Sequence, residues 1–397
     1  MLQGKTVVLG VTGSIAAYKI ANLASALVKL HADVHVLMTE NATNFINPIT
    51  FETLTHNKCI VDTFDRNFQY NVEHVSLADK ADVMLVAPAS ANIIAKMAHG
   101  IADDMLSTTY LAMRCPVIVA PAMNVNMYNN PIVQDNIQTL KHYGKIVIEP
   151  AEGYLACGYT GKGKMPEPED LLEYIIKEVA YEKDLKGKKI LVTAGPTREK
   201  IDPVRFISNH STGKMGYAIA KQAMLRGAEV TLVSGPVNIK KPNFVNIIDV
   251  VSAEDMFQAV KTNYENQDII IKTAAVADYT PANYVDEKIK KKDNDSDLSI
   301  ELQRTTDILN WLGHHKREGQ IICGFSMETQ NMLENSKKKL EKKNADMIAA
   351  NSLKDTGSGF GTDTNHLVLI KRDEIIDLPL MTKMEAADRL LSELMGY

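Results

Sequence analysis

Residues 5–19, KTVVLGVTGSIAAYK, and residues 188–197, KKILVTAGPT, decide the fold. Each is an apolar, β-branched run that breaks at glycine before small polar residues, the pattern of a buried parallel strand feeding a helix. After the first, strands are predicted at Thr6–Gly10, Val34–Met38, Val83–Ala87, Val117–Pro121 and Ile146–Glu149. Between the first two, Ile15, Ile20, Leu23, Leu27 and Leu30 keep helical spacing. The second opening repeats the plan at Ile190–Thr193, Glu229–Val233, Val245–Asp249, Asp268–Thr273, Ile321–Gly324 and Met347–Ala350. An antiparallel pair, His366–Ile370 with Glu374–Leu378, and a helix from Thr382 to Met395 complete the expectation. The fold class is therefore α/β, with two doubly wound, Rossmann-like domains of three layers each. The charged segment 176–189, IKEVAYEKDLKGKK, marks the boundary, giving domains over 1–182 and 187–397.

Composition narrows the function. The 397 residues suit two domains better than one core. Lys and Arg total 44 against 49 Asp and Glu, a net charge of −5, which has the wrong sign for a nucleic-acid binder and points to small-molecule chemistry. Cys59, Cys115, Cys157 and Cys323 stand far apart, with no CxxC and no zinc spacing, so a reducing compartment is expected. The chain opens directly into a strand-like segment, and Pro88, Ser90, Asn92 and Lys96 interrupt its longest apolar candidate for a membrane span. The expectation is a cytoplasmic protein with neither membrane nor nucleic-acid partners.

Open parallel sheets bind ligands beyond the carboxyl ends of their strands, so candidate site residues are expected there. Gly10 to Lys19 places Gly13 and Ser14 where a strand becomes a helix, suited either to a phosphate or to a tight turn without a ligand. Two further strand ends, Pro88-Ala-Ser90-Ala-Asn92 and Pro121-Ala-Met-Asn124-Val-Asn-Met127, put asparagine just past a buried strand, poised for a flat polar ring or a carboxylate. Cys157 lies in a glycine loop with Lys162 and Lys164, where positive charge favours the thiolate and suits proton donation. His74 follows a polar segment, and a lone histidine is more often a surface or satisfied core residue than a catalyst.

Taken in order, GxTGSIAAYK, PASAN with Lys96, His99-Gly-Ile-Ala-Asp103-Asp104, PAMNxxM and ACGxxGxGxM resemble the flavin-dependent cysteine decarboxylases. The resemblance implies a flavodoxin-like flavoprotein half that binds FMN around Gly13, Ser14, Thr39, Ser90 and Ser107, at a subunit interface of a trimer-based assembly. It makes His74 the base or polariser, Asn124 the holder of the substrate carboxylate and Cys157 the proton donor on a flap. Lys164 stands where that family commonly has arginine, which weakens a bidentate clamp.

In the second half, Gly195 to Gly216 is a long polar insert that lacks GxGxxG, and its Ser211-Thr-Gly-Lys-Met-Gly216 spacing does not match a Walker loop. Arg205 and Asn209 look placed to meet an anionic, amide-forming substrate. The run Glu287-Lys288-Ile-Lys-Lys-Lys292 reads either as a solvated face or, behind the strand-end Asp278, as a neutraliser of triphosphate beside Mg2+. GPTREKID, the Arg205–Gly216 segment, AAVADY, EKIKK and GFSMET resemble the phosphopantothenate–cysteine ligases. That resemblance implies CTP as the activating nucleotide, lying against Lys272, Thr273, Ala274, Asp278, Lys288, Thr306, Asp307, Ile308, Leu309, Phe325, Lys339 and Lys343. It gives Lys288 and Asn209 catalytic roles in forming and converting an acyl-cytidylate, makes Arg205 a substrate contact and Asp278 a metal ligand, and has this half dimerise. Thr305-Thr306 replaces the usual Asn-Pro before Asp307.

Both resemblances together imply a two-step enzyme of coenzyme A biosynthesis acting on 4′-phosphopantothenate, cysteine and CTP, assembled as a dodecamer of decarboxylase trimers and ligase dimers. The rival expectation is a flavin-binding regulatory subunit without turnover.

Overall fold

The computed structural model describes residues 1–63, 73–154, 160–290, 299–328, 331–352, 357–359 and 361–396. Cys157, a proposed proton donor, lies outside them. The chain divides into two compact units, Met1–Tyr181 and Glu182–Tyr397.

In the first unit, β1 (Thr6–Val11), β2 (Asp33–Met38), β3 (Val83–Ala89), β4 (Val117–Pro121) and β5 (Ile146–Val147) form one parallel sheet in the order β2-β1-β3-β4-β5. Successive side chains alternate between faces, and both faces are covered: Leu9, Val36 and Leu85 enter one core, Val8, Met84 and Val86 the other. That is why the sequence shows continuous apolar runs and not alternation. The order reverses between β1 and β3. An antiparallel hairpin, β6 (Ala151–Tyr154) with β7 (Thr160–Lys164), follows the sheet.

The second unit carries β8 (Lys189–Ala194), the short antiparallel pair β9 (Glu199–Lys200) and β10 (Phe206–Ile207), then β11 (Glu229–Ser234), β12 (Asn246–Asp249) and β13 (Ile269–Lys272). After these come a second short pair, β14 (Tyr279–Pro281) and β15 (Leu302–Arg304), then β16 (Ile321–Glu328) and β17 (Met347–Ser352). The last strands are β18 (Thr364–Asn365), β19 (Val368–Ile370), β20 (Ile375–Asp377) and β21 (Met381–Thr382). The main sheet runs β12-β11-β8-β13-β16-β17-β19-β20, parallel up to β17 and antiparallel beyond it, with its reversal between β8 and β13. β18 pairs with β21 at the start of the closing helix Lys383–Met395.

The main strands fall where the apolar runs predict them, with one instructive difference. Gly324 reads as a strand end, yet β16 continues to Glu328. A Cβ at Gly324 would stand 2.5 Å from Leu309 Cδ2, so this glycine permits close packing of a helix and is not a turn. The short pairs were not expected, because two- and three-residue strands carry no periodicity.

Candidate functional site

In the first unit the strand ends flanking the reversal are joined directly. Thr12 Oγ1 donates to the Pro88 carbonyl at 2.6 Å and accepts from the Ser90 amide at 3.1 Å. Ser90 caps the helix Ala91–His99, its Oγ accepting from Ile93 N at 3.4 Å, and Ser14 Oγ accepts from Ala16 N at 3.3 Å. Gly13 approaches the segment after β2 so closely that a Cβ would lie 2.9 Å from Asn41 Cβ. At that same segment Thr39 Oγ1 is buried with no hydrogen-bond partner among the described residues. Buried hydroxyls are rarely left so, and a polar ligand seated between Gly13, Thr39 and Ser90 would satisfy it.

Ser107 is different. It is 0% exposed, and its Oγ accepts from Asp104 N at 3.2 Å while donating to Asp104 Oδ1 at 2.8 Å, closing a capping box on the helix Met105–Ala112. These bonds make it part of the frame behind the strand ends. Lys96 is bound to Asp103 at 2.6 Å and Asp104 at 2.8 Å, and His99 Nε2 meets Asn136 Oδ1 at 3.0 Å, so these motif residues also build the frame. Hydrogen bonds from Lys96 and the Ser107 amide hold the Asp104 carboxyl below the usual carboxylate range despite its partial burial.

Asn124 caps the short helix Val125–Tyr128, Oδ1 accepting from Asn126 N at 2.8 Å. The hairpin leans on this loop: Met123 N donates to the Gly163 carbonyl at 3.1 Å, and a Cβ on Gly161 would stand 2.8 Å from Val125 Cγ2. The flap base and Asn124 are thus brought together. His74 is half-buried on the helix Glu73–Lys80, which packs on Met105–Ala112. Lys164 pairs with Glu167 at 3.1 Å, and Lys19 reaches the same carboxylate at 2.7 Å, so one acid anchors both lysines.

In the second unit, two cavities of 320 and 460 Å³ open beyond the carboxyl ends of the strands at the reversal. Lys272, Val276, Asp278 and Lys339 line both. The smaller one adds Thr273, Ala274 and Phe325, the larger Thr306, Asp307, Ile308, Leu309 and Lys343. All the residues expected at the nucleotide except Lys288 therefore line this joined space.

Its geometry is fixed from the strands. Thr305 bridges the loop to the end of β13's extension, Oγ1 to Ala277 O at 2.6 Å and N to Asp278 O at 3.0 Å. Asp307 caps the helix Ile308–His315 through Asn310 N at 2.9 Å and binds Lys343 at 2.5 Å. Lys339 Nζ donates to Phe325 O at 3.1 Å. Burial, followed by repulsion from Lys339, pushes the Lys272 ammonium down from 10.5 to about 8, although Asp307 and Asp278 oppose the fall. A set of lysines waiting beside a partly desolvated one is an anion site, since a polyanion relieves their mutual repulsion.

Asn209 and Arg205 line neither cavity. Asn209 Nδ2 donates to Ala275 O at 2.6 Å, which keeps it beside the strand end, whereas Arg205 is engaged with Asp202 at 2.6 Å. Lys288 is exposed on the segment between β14 and β15.

Sequence reasoning missed several contributors to the smaller cavity, among them Ser211, Gly213 and Gly216 before and within the helix Lys214–Leu225, and Asn351 at the end of β17. A Cβ on Gly216 would meet Thr273 Oγ1 at 2.4 Å and Ala194 Cβ at 2.5 Å, so only glycine lets that helix start against the strands. The stretch lacks Walker spacing, the pattern that would single it out in the sequence. Asn351 is 6% exposed and follows the same rule of asparagine past a buried strand that picked out Asn124. Lys383, also at this cavity, gives no sequence signal, because only the closing helix's return brings it there.

Residues 1–180 match the family model named Flavoprotein, and residues 185–397 that of the DNA/pantothenate metabolism flavoprotein C-terminal domain. The coenzyme A biosynthesis bifunctional protein CoaBC of Bacillus subtilis (strain 168) is 49% identical over 398 residues, covering 99% of this chain and 97% of its own. A cysteine/cysteine sulfinic acid decarboxylase from an unknown prokaryotic organism is 46% identical, over 88% of this chain and 99% of its own. A crystal structure of the C-terminal domain of a CoaBC is 48% identical, with a TM-score of 0.46, covering 53% of this chain and 96% of that one. The fold and sites thus define a two-domain α/β enzyme of pantothenate metabolism with a flavoprotein half. The chain belongs to the CoaBC family, bifunctional enzymes of coenzyme A biosynthesis that combine a ligase with an FMN-dependent decarboxylase.

Proposed function

We propose that the second unit joins 4′-phosphopantothenate to cysteine at the expense of CTP, and that the first decarboxylates the product, 4′-phosphopantothenoylcysteine, to 4′-phosphopantetheine. The observation that carries the ligase reading is the pair of joined cavities with Lys272, Lys339 and Asp278 at their junction. A nucleotide base and ribose fit the side of Thr306 to Leu309, leaving the phosphates to the lysines. The substrate carboxylate attacks the α-phosphorus, pyrophosphate leaves, and Lys288 neutralises the charge that develops. The cysteine amine then displaces CMP from the acyl-cytidylate, with Asn209 beside the acyl group and the free edge of Arg205 toward the substrate. Among the described residues no three His, Cys, Asp or Glu side chains gather to hold a metal. Mg2+ is commonly held by one or two carboxylates together with substrate phosphates, so Asp278 suits a cation delivered with CTP.

In the first unit the orphaned Thr39 hydroxyl and the Gly13 approach fit a phosphate-bearing cofactor, with Ser14 and Ser90 beside them and Ser107 supporting the frame. FMN bound there supplies the redox capacity that makes the cysteinyl carboxylate a leaving group. Asn124 orients that carboxylate, His74 manages a proton at the substrate, and the Cys157 thiol returns one to the product. Exposed Ile15 and Tyr18 in the first unit, and Val204 and Phe206 in the second, support assembly through both units, which we take as trimers and dimers of one dodecamer. No helix among the described residues is long and apolar enough to cross a membrane, in keeping with a cytoplasmic enzyme.

The test is a mass-spectrometric assay of the purified chain with 4′-phosphopantothenate, cysteine, Mg2+ and either CTP or ATP. Phosphopantetheine formed with CTP and accompanied by CO2 is the expected result. Lys288→Gln is expected to abolish acyl-cytidylate formation while sparing decarboxylation, and Asn209→Asp to let acyl-cytidylate accumulate. The same assay offers free cysteine, because the similarity to a cysteine decarboxylase raises that as a second reading. No turnover of any substrate by a flavin-loaded preparation would return the regulatory-subunit alternative.

A further inference from the structure

The segment carrying Lys288 is held by an ion pair whose carboxylate, Asp202, takes no direct part in the scheme above. Asp202, 1% exposed, gathers five hydrogen bonds on its carboxylate. Val204 N and Arg205 N reach Oδ1 at 2.8 and 2.7 Å, and Arg205 Nε and Nη2 reach Oδ2 at 2.9 and 2.6 Å. The fifth comes from far along the chain: Ile289 N donates to Oδ2 at 3.2 Å. Arg205 Nη2 returns the contact by donating to the Ile289 carbonyl at 3.0 Å. Both backbone groups of Ile289 are thus fastened to one ion pair, and Val285 N to Ile201 O at 3.3 Å ties the segment a second time.

Without these bonds residues 285–290 would be an exposed loop with no ladder partner, since five of the six are solvent-exposed. Ordering such a loop costs backbone entropy that its own side chains do not offset. The pair supplies a charge-assisted anchor immediately next to Lys288, leaving only that side chain's own rotamers to be ordered when substrate binds.

We propose that Asp202, acting through Arg205, is a positioning residue for the activation half-reaction: it fixes the backbone at Ile289 so that Lys288 meets the developing charge. The proposal rests on the activating role given to Lys288. A group displaced by about 1 Å can cost roughly 100-fold in rate, which sets the scale of the effect.

The test uses the full chain. Asp202→Asn is expected to slow pyrophosphate release with 4′-phosphopantothenate and CTP by about 10- to 100-fold, with CTP affinity changed by less than about threefold. Decarboxylation of supplied 4′-phosphopantothenoylcysteine stays at the wild-type rate. Two readouts separate positioning from loss of fold. Limited trypsin digestion is expected to cut after Lys288 and Lys290 faster in Asp202→Asn, and Asp202→Asn combined with Lys288→Gln is expected to be no slower than Lys288→Gln alone. Should Asp202→Asn not fold, Ile289→Pro removes the donated N–H while leaving both side chains of the Asp202–Arg205 pair in place, and is expected to slow the same step. A multiplied loss in the double variant, unchanged tryptic cleavage, or a wild-type rate in Ile289→Pro would overturn the positioning role alone. A wild-type rate in Lys288→Gln would instead overturn the role of Lys288, and the positioning role with it.

Discussion

Lys272 holds a charge in a place that disfavours it, and replacing it should show this as stability. Its ammonium is pushed from the ordinary 10.5 to about 8, first by burial and then by Lys339. Between those values the native state binds fewer protons than the unfolded chain, so stability rises with pH through that window and the group's penalty is fully present below about pH 8. At about 1.36 kcal/mol for each tenfold change, the fall corresponds to about 3 kcal/mol at pH 7. Lys272→Met keeps the apolar stem and removes the charge. The variant should be about 2 to 3 kcal/mol more stable than the wild type at pH 7, about 1 at pH 9.5, and equal above about pH 10.5. Trp311, the only tryptophan, lies in the helix Ile308–His315, so its fluorescence in urea follows the second unit. On the proposed role of Lys272 at the phosphates, the same variant should also bind CTP more weakly. Calorimetry of the wild type in two buffers near pH 8 should detect uptake of about half a proton on binding CTP. A Met variant no more stable than wild type at pH 7, or a difference that does not shrink as pH rises, would refute this reasoning.

Two further changes probe the cradles. Thr39→Val removes the orphaned hydroxyl, so the flavin-free protein should gain about 1 kcal/mol while retained FMN, read from absorbance, falls; unchanged FMN content would remove Thr39 from the site. Gly216→Ala forces the helix Lys214–Leu225 off Ala194 and Thr273, and should weaken CTP binding by tenfold or more with decarboxylation intact, as titration and assay would show.

Part of the candidate site in the second unit was legible because strand ends are. Lys272, Thr273, Ala274 and Asp278 follow one apolar run, and a doubly wound sheet delivers such residues to the reversal of strand order whatever the loops do. Arg205 was legible as an important arginine, but its fork turned out to hold Asp202 and Ile289 and to line neither cavity. Ser107 entered only through the family resemblance, as an FMN contact, and its reciprocal bonds with Asp104 place it in the frame.

The sequence by itself determined the two sheets, the division near residue 182 and the strand-end chemistry, because hydrophobic period and the breaks at glycine and proline are local. Tertiary structure alone decided which distant residues meet: Lys272 with Lys339 and Lys343 at one cavity junction, Asp202 with Ile289, and Lys383 with the start of the helix Lys214–Leu225. Those meetings join segments about 65 to 170 residues apart. They depend on how helices and loops return across the sheet, and no local pattern records the angle of that return.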